Sequence, residues 1–147
     1  MDKRLNIQEL QPEAYKAMYA LEKYLTTTDL PKNYKELIKI RASQINGCPF
    51  CIDMHTKDAI KGGETSRRIF LLNAWRETDL FTEEEKLVLA MTEEVTLISN
   101  GGLTANTCGK LTGLFGKVYI AQLLMMIVTI NAWNRIAIST NLPVSAV

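Results

Sequence analysis

The sequence predicts an all-α fold in a single domain of about six or seven helices. Three observations carry this. Strict period-2 alternation of apolar and polar residues is scarce, so strands are not indicated. The four prolines are Pro12, Pro31, Pro49 and Pro143, and the clearest glycine breaks are Gly62-Gly63 and Gly101-Gly102, which leaves long uninterrupted segments. At 147 residues and 47% hydrophobic, the chain is long and apolar enough for one real core.

The elements follow in order. Ala14, Met18, Leu21 and Leu25 recur at helical spacing from Pro12 onward, and Thr26-Thr27-Thr28-Asp29 breaks the helix. Pro31 suits the first turn of a second helix, which runs through Leu37, Ile40 and Ile45 and stops at Asn46-Gly47. A third helix starts at or just before Cys48, tolerates Pro49 in its first turn, and ends near Lys61. Thr65 or Ser66 opens a fourth through Phe70 to Ala74. Thr82-Glu83-Glu84-Glu85 reads as a capping box leading into Leu87 to Ile98, and Thr104 caps a short helix around Asn106 to Leu114.

The last helix, near Lys117 to Ser139, is apolar on several faces, which suggests a central core helix or one buried in an oligomer. Its most apolar stretch, Val118 to Trp133, is about a turn short of the roughly 20 residues of a membrane span and contains Gln122, Thr129 and Asn131. The N-terminus lacks the continuous apolar stretch of a secretory signal. A cytoplasmic protein without a membrane segment is expected. With 17 basic against 16 acidic residues, no concentrated basic face points to nucleic acid.

The chemistry concentrates between Glu36 and His55. Eleven residues separate Glu36 from Cys48, the pair is spaced Cys48-Pro49-Phe50-Cys51, and three residues separate Cys51 from His55. On one helix at about 100° per residue, Cys51 falls about 60° and His55 about 20° from Cys48, so the three share a face. A thiolate is the nucleophile, and a helix N-terminus favours that anion. His55, four residues beyond Cys51, is placed to take the thiol proton or stabilise the thiolate. Glu36 could orient the imidazole if its helix packs alongside. Two neighbouring thiols close a redox cycle: one attacks a peroxide and becomes sulfenic acid, and the other condenses with it to a disulfide.

Other uses of the motif fit less well. A structural zinc site wants four ligands, and here two cysteines and the chain's single histidine would need Glu36 or the distant Cys108. Thioredoxin-like folds set the motif near a βαβ pattern, and no strand pattern precedes Cys48. Two buried cysteines with a satisfied histidine are the plain structural alternative. Cys108 reads as a small half-buried residue, Trp75 and Trp133 as core or interface anchors, and Met125 and Met126 as core or oligomer contacts. Arg76, Glu77 and Arg135 are open to pairing across helices or interfaces.

At these residues the chain resembles the alkylhydroperoxidase D (AhpD)-like family, within the carboxymuconolactone decarboxylase superfamily. The family pattern Glu-x11-Cys-x-x-Cys-x3-His is matched without a gap by Glu36, Cys48, Cys51 and His55. Asn46 to His55, Trp75-Arg76-Glu77-Thr78 and Ile130-Asn131-Ala132-Trp133-Asn134-Arg135 are similar to the small single-domain members, and the likeness covers roughly Leu30 to Ile138. It implies an all-helical fold, homo-oligomers (often trimers or hexamers), and reduction of hydroperoxides at the expense of a thiol or dithiol reductant, without metal or other cofactor. It also implies that Cys51 attacks, Cys48 resolves, and Glu36 with His55 relays protons. Helix-dipole reasoning instead makes Cys48 the more acidic thiol. The pattern departs at Phe50, where the best-known member carries histidine; this motivates an alternative, a redox-sensing or disulfide-exchange module with weak turnover. The superfamily's decarboxylases lack the cysteine pair, so lactone decarboxylation is not implied.

Overall fold

The computed structural model describes residues 3–144. Among them it is all-helical: α1 Ile7–Leu10, α2 Pro12–Thr26, α3 Lys32–Asn46, α4 Pro49–Lys61, α5 Ser66–Phe70, α6 Glu83–Thr96, α7 Ala105–Phe115 and α8 Lys117–Thr140, with 3₁₀ segments at Leu72–Glu77 and Ile98–Asn100. The count exceeds the six or seven expected because α1, a single turn with no buried residue, carries no apolar periodicity to betray it.

Side-chain chemistry fixes most boundaries. Thr82 and Glu85 form the complete capping box, each bonded to the other's backbone N–H. Thr65 and Thr104 accept from the N–H three residues on and start α5 and α7. Two details differ from expectation. Pro31 is the residue before α3, in an extended conformation, and does not lie in its first turn. The segment from Ser66 is a short α-helix that ends at Leu71 (φ −95°, ψ 3°) and then a 3₁₀ stretch, itself kinked at Ala74, which departs from helical backbone angles.

Helix α3 is the organising element and packs most extensively on α4, α6 and α8. It serves two apolar clusters. Ile38 and Ala42 join Val88, Met91, Leu111, Leu123, Met126, Ile127 and Ile130 on one side. Leu37 and Ile40 join Ala59, Ile69, Leu72, Trp75, Phe81 and Leu89 on the other. Helix α2 is more peripheral: of its four periodic apolar residues only Leu25 is fully buried. Met126 is in the core and Met125 packs against it, as their place in the sequence suggested.

Helix α8, at 24 residues and mean hydropathy 1.3, is long and apolar enough to cross a membrane by length and composition. Half of its most apolar 18-residue stretch is buried within the fold, and the helix packs against α2, α3, α4, α6 and α7, so it serves here as a central packing helix. Trp75 is a core anchor: it is buried, and its indole N–H donates to Glu93 Oε1 at 2.8 Å. Arg41 Nε donates to the same oxygen at 2.8 Å, and Arg76 pairs with the other carboxylate oxygen while lying over the Trp75 ring. Burial works against the charge on Glu93, but the bonds from Arg76, Trp75 and Arg41 outweigh it and hold the carboxyl below its ordinary value.

Candidate functional site

The site is built at the turn between α3 and α4. Gly47 takes the left-handed conformation (φ 67°), its N–H returns to Gln44 O at 3.2 Å, and the Cys48 N–H returns to Ser43 O at 2.9 Å. This is a Schellman closure, and a residue with a Cβ would be strained at its left-handed position. The chain reverses within two residues and α4 runs back along α3. Glu36 thereby meets His55, with His55 Nδ1 3.1 Å from Glu36 Oε2. Both are largely buried, at 6% exposure for His55 and 9% for Glu36. The packing that sequence spacing could not establish is therefore present.

Cys48 precedes the first turn of α4 in an extended conformation, so the helical arithmetic does not hold for it. Its side chain nonetheless meets Cys51 and the backbone N–H groups of Phe50 and Cys51. Cys48 is 0% and Cys51 2% exposed, and both are free thiols. The hydrogen bond from the Cys51 thiol draws the Cys48 thiol down to about 7; burial opposes this, and the two N–H groups and the Asn134 amide reinforce it. The same bond, burial and the Cys48 charge push Cys51 up, against the pull of Asn134 and Ser43. Acidity thus lies with Cys48, as the helix-dipole argument expects.

Access lies with Cys51. A cavity of about 390 Å³ is lined by Cys51 and His55 together with Phe50, Met54, Ile136 and Leu142, while Cys48 does not line it. Tyr15, Tyr19 and Trp133 form one wall, with ring centroids 5.3 to 5.6 Å apart in edge and tilted contacts. Trp133 Nε1 donates to Glu22 Oε1 at 2.9 Å, and Glu22 Oε2 lies 3.9 Å from Lys39 Nζ, so the polar groups at this wall are mutually paired. The cavity is predominantly apolar, as small-molecule pockets are. A second, more polar cavity of about 300 Å³ is lined by Glu36, but not by His55, with Lys32, Asn33, Glu64, Arg68 and Glu85.

Sequence reasoning brought together Glu36, Cys48, Cys51 and His55, and the structure collects all four. It missed Tyr15, Tyr19, Ser43 and Asn134, and it read Trp133 as an anchor when the residue also walls the cavity. The only advance signal was Trp133-Asn134 within the segment Ile130 to Arg135. Cys108 is half-buried and lines neither cavity. The zinc set is not assembled: among the described residues, the group with metal-ligating atoms close together is Glu36, His55 and Asp58, within 4.8 Å of one another, and no cysteine joins it.

Known proteins resemble the whole chain. The sequence profile of the carboxymuconolactone decarboxylase family matches residues 12–94, more than half of its length. The uncharacterized protein YdfG of Bacillus subtilis (strain 168) is 42% identical over 139 residues, 95% of each chain. A crystal structure from Agrobacterium tumefaciens, of a protein of unknown function described as a candidate AhpD antioxidant defence protein, superposes with a TM-score of 0.95 at 36% identity, covering 99% of this chain and 100% of that one. An uncharacterized peroxidase-related protein from Silicibacter sp. TM1040 shares the fold at 19% identity, with a TM-score of 0.80 over 95% of this chain and 81% of that one. On this profile match and these end-to-end likenesses, the chain belongs to the carboxymuconolactone decarboxylase family and has the AhpD-like fold.

Proposed function

We propose that the protein is a thiol-dependent hydroperoxide reductase that cycles through a Cys48–Cys51 disulfide. The observation that carries this reading is the contact of two buried thiols at the start of α4, one of which faces an apolar cavity beside a histidine bonded to a buried glutamate.

The pair loses its first proton from Cys48, and the remaining S–H lies on Cys51. As peroxide enters, that proton passes to Cys48 along their hydrogen bond, leaving the charge on the sulfur that faces the cavity. Cys51 attacks the O–O bond, a sulfenic acid forms, and the alkoxide leaves with a proton from His55 to give the alcohol. The Cys48 sulfur then attacks the Cys51 sulfur and gives its proton to the departing hydroxyl, so the S–O bond breaks, water leaves and the disulfide closes. A thiol or dithiol reductant reopens it by exchange, becoming a disulfide itself. Cys51 is the attacking sulfur because it lines the cavity; the more acidic Cys48 suits the resolving step. Glu36 fixes the imidazole's orientation and exchanges its proton.

The same reading includes a cytoplasmic homo-oligomer, a trimer or hexamer as the family resemblance implies. Exposed Val118, Leu124, Val128 and Ile138 along α8 support the oligomer. Peroxide-dependent oxidation of dithiothreitol by the pure protein, abolished in Cys51→Ser, is the expected result; equal rates in wild type and variant would refute the assignment. Phe50 favours a second reading, a disulfide-exchange module with slow peroxide turnover, because it sets an apolar ring beside Cys51 where a further proton donor would speed reduction.

A further inference from the structure

We infer that Asn134, from α8, is a positioning residue for the thiol pair: a fixed N–H donor that stabilises the pair's anion and biases the dithiol–disulfide equilibrium toward the dithiol. The inference rests on the pair being redox-active, as proposed above, and not on peroxide being its oxidant.

Hydrogen-bond accounting fixes the orientation of the amide. Asn134 is 0% exposed. Asn46 Nδ2 donates to Asn134 Oδ1 and to Asn131 Oδ1, each at 2.9 Å, which uses both of its hydrogens. Asn131 Nδ2 donates to Thr96 Oγ1 at 3.0 Å and to Ile127 O at 2.9 Å, so its oxygen is the end that faces Asn46. Arg135 Nη1 donates to that same oxygen at 3.1 Å. A flipped Asn134 would set its NH₂ against the NH₂ of Asn46, donor against donor. Its oxygen is therefore committed to Asn46, and its two N–H groups face the other way.

One of those hydrogens goes to Ser43 Oγ, with Nδ2 at 3.0 Å. Ser43 in turn accepts the Cys48 N–H through its carbonyl at 2.9 Å, so the amide sits beside the thiol turn with its second hydrogen unspent, and its donor character draws both the Cys48 and the Cys51 thiol down. An amide N–H aimed at sulfur favours a thiolate over a neutral thiol, and a thiolate over a disulfide sulfur, which is a poor acceptor. The donor is pre-oriented because its partners, Ser43 and Asn46, both lie on α3, and Asn46 is itself held by Asn131 of α8, which bonds Thr96 of α6. The ionisable groups around the pair are His55 on α4 and Glu36 on α3, with Arg135 behind the amides on α8. None of these replaces a direct donor at the sulfurs.

The test uses the full chain with Cys108→Ser, so that only the pair titrates. With Asn134→Ala, the midpoint of the ultraviolet thiolate signal is expected to rise by about one pH unit. At a pH above both midpoints, the equilibrium with oxidised and reduced dithiothreitol is expected to move about tenfold toward the disulfide, which corresponds to a potential about 30 mV more reducing. In this exchange the thiolate–thiol pair loses two electrons and one proton, and the dithiothreitol disulfide takes up the two electrons and two protons, the second proton coming from solvent. An unchanged midpoint and equilibrium in a variant with wild-type circular dichroism would overturn the inference. If the variant does not fold, the wild-type protein decides. One Asn134 side-chain NH₂ proton is expected to move downfield as the thiol ionises, and unresponsive NH₂ signals would overturn the inference. A protein that consumes no peroxide but shows the Asn134-dependent equilibrium would refute the peroxidase reading while supporting this one.

Discussion

His55 Nδ1 lies 3.1 Å from Glu36 Oε2, and the two side chains open onto different cavities. Glu36 lines the polar one, and His55 lines the apolar one that Cys51 faces. The pair thus forms a polar link through the wall between α3 and α4. For the proposed reaction this lets protons reach His55 from the Glu36 side without passing the substrate. Glu36→Gln is expected to lower kcat/KM for hydroperoxide reduction about a hundredfold, the usual scale of a positioned proton donor. The Cys48 midpoint should stay near 7 in this variant. Steady-state kinetics combined with thiolate titration checks both halves.

Cys51 is the first cause of the lowered Cys48 midpoint. Cys51→Ala removes that donor, so the Cys48 midpoint is expected to move up from about 7. Alkylation rates measured against pH would report it, because only the thiolate reacts.

Trp133 closes one wall of the cavity on Tyr15 and Tyr19. Trp133→Ala is expected to raise KM for a bulky aromatic hydroperoxide about tenfold, the loss of roughly one aromatic contact. KM for hydrogen peroxide, which is too small to use that wall, should not change. Parallel kinetics with the two substrates makes the comparison.

Glu93 links Arg41, Arg76 and Trp75, and its carboxyl is held below the ordinary value of 4.5. A depressed folded value means that the stabilisation is present above the unfolded pKa and is lost as pH falls through the folded one. Urea midpoints are therefore expected to be flat near neutrality and to fall on acidification below about pH 4.5. Glu93→Gln should cost about 2 kcal/mol at neutral pH and flatten the acid limb.

Gly47 carries the turn that aligns α3 with α4. Nothing lies within 4 Å of a Cβ placed there, so Gly47→Ala meets no clash and tests the backbone alone. Its φ of 67° makes a loss of about 1 kcal/mol the expected result in urea denaturation.

How much was legible in the sequence depended on range. Thr65, Thr82, Thr104 and Gly47 announced element ends because capping is a matter of neighbouring residues. Glu36, Cys48, Cys51 and His55 were legible because one helical hairpin holds them all. Pro31 was misplaced by one position, since proline's fixed φ suits both the first helical turn and the extended residue before it. Asn134 escaped because its partner Ser43 is 91 positions away, and an asparagine in an apolar helix shows nothing of the amides that orient it. Tyr15 and Tyr19 escaped for the same reason: their importance comes from the docking of α2 on Trp133 of α8.

The most direct test of the central claim is a thiol count before and after one equivalent of an organic hydroperoxide, with peptide mapping. Of the three cysteines, two should disappear, one equivalent of alcohol should form, and the linked peptides should contain Cys48 and Cys51. An unchanged count of three, or oxidation confined to Cys108, would contradict a Cys48–Cys51 redox cycle.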